Sequence, residues 1–78
     1  MIKVAVKSDV VRHHLARRNI NQNNLALKAN VSQGYLSQLL KGSRFPGPNV
    51  RGRLMKALRI KEFEELFEMV PEGAPARH

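Results

Sequence analysis

Between Gln22 and Lys41 the chain sets amide and hydroxyl side chains among aliphatics at helical spacing. At about 100° per residue, Gln33, Gly34, Ser37, Gln38 and Lys41 fall within about 140° of one another on a helix. Leu36 and Leu39 fall on the other side, with Tyr35 on the flank. The polar face therefore holds two amides, a hydroxyl and one ammonium, with no acid and no large aliphatic. A Gln amide donates and accepts at once and can bond an adenine edge bidentately; a Ser hydroxyl can bond several bases. Gly34 permits close approach, for example over a thymine methyl. This is chemistry suited to reading base edges in a DNA major groove. An ordinary amphipathic helix with a solvated polar face would share the pattern, so the rest of the chain must decide.

No other constellation competes. His13 and His14 are adjacent and so diverge on a helix, and His78 stands alone near the end of the chain. None has metal-ligand spacing. There is no Ser-His-Asp set, no paired carboxylate in a plausible pocket and no phosphate-cradling Gly loop. The run Glu62–Glu68 reads as a solvated helix face. No enzyme, metal or cofactor is expected.

The charge balance supports a polyanionic partner. The net charge is +8, unevenly placed. Residues 1–59 hold twelve Lys and Arg against one acid, Asp9, whereas residues 60–78 hold Lys61 and Arg77 against five Glu. A basic body concentrates polyanions and speeds encounter with them, without separating DNA from RNA or anionic lipid. There is no Cys, so no disulfide framework is possible, which fits a reducing cytoplasmic setting; a nucleoid-associated one is expected where the polyanion is DNA. No apolar run reaches the ~18 residues of a membrane-crossing helix. The first seven residues are too short an apolar run for a secretory signal.

These residues need elements to position them. Seventy-eight residues make one domain with a limited core. Ile2, Val4 and Val6 alternate as a short strand or extended arm. Ser8 suits an N-cap, and a first helix runs to about Arg18, with Val11, Leu15 and Arg18 in one stripe and Asn19 as a left-handed stop. A second helix runs from near Asn21 to Ala29, with Leu25, Ala26 and Ala29 inward. Asn30 can take the positive φ of a tight turn. Ser32 caps the third helix, which stops at Gly42. A Pro-rich loop spans Ser43–Pro48. A fourth helix covers about Asn49–Leu58, and a fifth about Lys61–Met69. The reading is an all-α domain over residues 1–70, five short helices, with a disordered tail at 71–78.

The segments Gln22-Asn23-Asn24-Leu25-Ala26, Ala29-Asn30-Val31-Ser32, Tyr35-Leu36-Ser37, Leu39 and Lys41-Gly42 resemble the lambda-repressor/Cro-type (XRE-like) helix-turn-helix family. The likeness runs over about residues 9–67. It implies a helix-turn-helix at helices two and three, with Ser32–Leu40 as recognition helix. By that resemblance Gln33, Gly34, Ser37 and Gln38 face base edges. Gln22, Asn23, Ser32, Tyr35, Lys41 and Arg44 reach the DNA backbone. The implied function is a bacterial or phage-like transcription regulator or repressor on double-stranded DNA. Such proteins usually bind as dimers, and the end of helix five, Phe67 and Val70, is the surface expected to serve. The chain departs from the family at Leu15 and Leu40, where a partly buried Arg–Glu pair is common. Exchanging both charges for apolar groups is often neutral or stabilising.

Two rivals belong to other classes. An antitoxin-like or adaptor module would use the acidic, apolar C-terminal helix to cover a basic partner. An RNA reader would need stacking aromatics, and helix three offers only Tyr35. Leu27 should point outward on helix two, where the family has a polar residue.

Overall fold

The computed structural model describes residues 2–71. Strand β1 (Ile2–Val6) leads into helices α1 (Ser8–Arg18), α2 (Gln22–Ala29), α3 (Gln33–Lys41) and α4 (Pro48–Leu58), then a single turn α5 (Phe63–Leu66) and strand β2 (Phe67–Pro71).

Four of the helices end the same way. Asn19, Asn30, Gly42 and Arg59 adopt left-handed φ, between 56° and 82°. At each, the left-handed residue and its successor donate backbone N–H groups back into the helix: Asn19 to Ala16 and Ile20 to Leu15, Asn30 to Leu27 and Val31 to Ala26, Gly42 to Leu39 and Ser43 to Gln38, Arg59 to Lys56 and Ile60 to Met55. This pairing satisfies carbonyls that a helix end leaves open. In three of the four the successor is Ile or Val, which packs against the core and seals the turn. Arg59 has no special tolerance for this backbone, unlike Gly or Asn.

The core gathers Val11 and Leu15 of α1, Leu25, Ala26 and Ala29 of α2, Leu36, Leu39 and Leu40 of α3, and Leu54 and Leu58 of α4. Leu15 and Leu40, the two positions at which the sequence departs from the family it resembles, are both buried in it. Helix α2 packs on both α3 and α4. The Arg18 guanidinium donates to the carbonyls of Ala57, at 3.5 Å, and Leu58, tying the end of α1 to the end of α4. Opposite charge at a helix C-terminus is favourable.

Three expectations are corrected. Ser8 does not cap α1: Lys7 occupies that position, and the buried Ser8 hydroxyl donates instead to the carbonyl of Leu40. The domain is mostly helical but not all-α, because β1 and β2 pair antiparallel, Ile2 opposite Pro71 and Val6 opposite Phe67. Helix five is correspondingly short. Phe63, Leu66, Phe67 and Val70 fit a helical stripe, but the chain turns extended at Phe67 because β1 supplies a strand partner. That pairing extends to Pro71; residues 72–78 of the expected tail lie outside the described residues.

The same pairing removes the expected dimer surface. Phe67 is 1% exposed and Val70 8%. Phe67 closes the core, its ring centroid 5.2 Å from that of Phe63.

Candidate nucleic-acid interface

Helix α2 begins with a reciprocal cap. The Asn21 side chain accepts from the Asn24 N–H at 2.8 Å, and the Asn24 side chain accepts from the Asn21 N–H at 3.0 Å. Two open donors are thus satisfied by neutral amides rather than by an acid. Gln22, half-buried, and Asn23, exposed, follow at the helix start. The turn after α2 holds Asn30 at φ 57°. Ser32 then caps α3, accepting from the Tyr35 N–H at 3.1 Å. The sequence foresaw the Asn30 turn and the Ser32 cap, and missed the Asn21–Asn24 box, since Asn replaces the usual Glu or Gln.

On α3 the apolar side is fully used: Leu36, Leu39 and Leu40 are buried. Gln33, Gly34, Gln38 and Lys41 are exposed on the other side, and Ser37 is half-buried. An added Cβ at Gly34 would meet nothing within 4 Å. Neither packing nor backbone geometry therefore requires this glycine.

The Arg44 guanidinium carbon lies 5.8 Å from the centroid of the Tyr35 ring. The N–H groups of Ser43 and Arg44 both donate to the Gln38 carbonyl, at 2.9 and 3.3 Å. The loop is thus pinned to the end of α3, and its Arg is laid over a flank residue of that helix. Spacing alone did not reveal this cation–π contact, because it joins a helix to an irregular loop.

Helices α2, α3 and α4 carry no acid in their first turns, whereas α1 has Asp9 and α5 has Glu64 and Glu65. Three positive helix ends are left without a negative side chain of their own. Elsewhere, His14 Nε2 lies 3.7 Å from Glu65 Oε1, linking α1 to α5. Among the described residues no group of three or more His, Cys, Asp or Glu could hold a metal, and no helix is long and apolar enough to cross a membrane.

The chain is 35% identical over 65 residues to the "Uncharacterized HTH-type transcriptional regulator YvzC" of Bacillus subtilis (strain 168), an alignment covering 83% of each protein. It belongs to the HTH-type transcriptional regulators. No family model matches this regulator, and no solved structure does. In this regulator a tight turn through Asn30 and Val31 joins α2 to α3.

Proposed function

We propose that this regulator is of the lambda-repressor/Cro type and binds double-stranded DNA with α3 in the major groove. The observation that carries the reading is the exposed, acid-free face of Gln33, Gly34, Gln38 and Lys41 on a helix whose other side is wholly buried. Gln33, Ser37 and Gln38 read base edges, and Gly34 lets the duplex come close. Around them Gln22, Asn23, Ser32, Tyr35, Lys41 and Arg44 hold the phosphate backbone. The acid-free starts of α2, α3 and α4 favour the same polyanion. Phosphate contacts fix the register, and α3 supplies the sequence choice.

A single α3 reads only a few base pairs, so a second copy on a second half-site is needed for genomic selectivity. The deciding experiment is in vitro selection on random duplex DNA at two salt concentrations. An enriched sequence motif, with affinity falling steeply with salt, supports the proposal. Enrichment of nothing at either concentration refutes it.

A further inference from the structure

Lys3, Ala5, Glu68 and Val70 share one face of the paired strands, because side chains alternate along a strand, Lys3 pairs with Val70 and Ala5 with Glu68. Ala5 and Val70 are buried. Lys3 is exposed, and its ammonium lies 5.1 Å from the centroid of the Phe45 ring. Phe45 is half-buried and follows Arg44 in the loop after α3. These two loop neighbours play opposite parts. Arg44 is the cation laid over the Tyr35 ring of α3, and Phe45 is the ring that meets the Lys3 cation of β1. A second tie holds the same region together: the Ser8 hydroxyl, just past β1, donates to the Leu40 carbonyl near the end of α3.

An apolar side chain at position 3 would cover the Phe45 ring as well as Lys does. What Lys adds is a charge, and the fold sets it near a second one on Arg44. Gathering like charges is unfavourable without an anion to answer them. The loop supplies none, since from Val10 to Lys61 the chain has no acid. Glu68 stands on the ribbon face, diagonal to Lys3 across the strands. A purely structural Lys3 would therefore cover Phe45 and lean toward Glu68. A duplex offers another answer, because its phosphates carry about one charge per 1.7 Å of axis. A ring that holds the ammonium in place beforehand also reduces the side-chain freedom lost when it meets a phosphate.

We propose that Lys3 is a DNA-backbone contact: a strand-borne cation that the Phe45 ring holds near Arg44, so that β1 and the loop grip the phosphates together. The proposal rests on the reading that α3 and Arg44 meet the duplex. It extends the interface from the helix-turn-helix to the first strand. Phe45 touches no DNA in this account; it positions Lys3.

The test is the salt dependence of duplex binding by the full chain, measured on a selected and a scrambled duplex, with thermal melting of each variant alongside. Lys3→Gln keeps an uncharged stem over the ring. It should weaken both duplexes alike, roughly fivefold at about 0.15 M salt, and lower the slope of log affinity against log salt by about 0.9 unit. Lys3→Arg should restore the slope. Phe45→Leu leaves the charge count and the slope unchanged, but in its background Lys3→Gln should cost less affinity than in the parent, since the two residues act as a pair. An unchanged slope in Lys3→Gln, with Arg44→Ala lowering it, overturns the proposal and leaves the DNA reading standing; a lower melting temperature would then assign Lys3 to Phe45 and Glu68. Equal losses for Lys3→Gln with and without Phe45 would remove the positioning role from the ring. Parent binding that does not fall with salt would overturn the proposal and the DNA reading together.

Discussion

Gly34→Ala separates what folding requires from what binding requires. Glycine inside a helix is less stable than alanine by about 0.5–1 kcal/mol, because it loses more backbone freedom on folding. Gly34 is the second residue of α3, where the gain from alanine should be near the lower end, about 0.5 kcal/mol. Nothing within 4 Å opposes the new methyl, so no clash offsets that gain. For a domain of this size the substitution should raise the melting temperature by about 2–4 °C. On DNA the sign reverses. If the duplex lies against α3, the methyl meets a base edge or a sugar, and crowding at a packed contact costs about 1–3 kcal/mol, near tenfold or more in affinity. The assay pairs thermal melting with titration of a selected duplex and a scrambled one. A variant that melts higher and binds both DNAs like the parent would remove Gly34 from the interface. A variant that melts lower would contradict the open surroundings of the residue.

Three further substitutions address other parts of the argument. Gln33→Ala should relax base preference at one position, costing roughly 1–3 kcal/mol on the preferred site while scrambled DNA binds as before; an equal loss on all sequences would mean that Gln33 reads no base. Arg44→Ala should weaken binding to every duplex and lower the slope of log affinity against log salt by about one unit, and an unchanged slope would exclude a phosphate contact. Arg18→Ala leaves the Ala57 and Leu58 carbonyls without their charged donor; it should cost about 2 kcal/mol in urea unfolding, with Arg18→Lys intermediate. Equal stability of Arg18→Ala and parent would mean that water satisfies both carbonyls.

Local signals were the ones that could be read from sequence. Asn19, Asn30 and Gly42 stop helices because their own side chains, or lack of one, suit left-handed backbone. Ser32 caps α3 through its own hydroxyl. Arg59 ends α4 in the same conformation without any such preference; the buried Ile60 that follows supplies the reason only once the core exists. The ribbon was hidden for a related reason. Phe63, Leu66, Phe67 and Val70 satisfy a helical period, and what makes the last two extended is a partner at the far end of the sequence. At the interface, side-chain types named the face of α3, since one element carries it. The Arg44–Tyr35 stack and the Lys3–Phe45 contact each join separate elements, and no single stretch of residues announces them.

Pairing Ile2–Val6 with Phe67–Pro71 means that one end of the domain cannot be finished without the other. During synthesis β1 leaves the ribosome before the helices, and must wait until α1–α5 have all been made before β2 arrives. Closing so long a loop is entropically slow, whereas the turns between α1, α2, α3 and α4 close locally. We expect α1–α4 to collapse early and the ribbon to zip last, its amides exchanging with solvent faster than those of Leu36 and Leu39. Hydrogen exchange measured residue by residue would show the order, and ribbon amides as protected as the α3 core would contradict it. A nascent chain halted before Phe67 would carry the helix-turn-helix and an unpaired apolar strand, a species prone to stick to its neighbours.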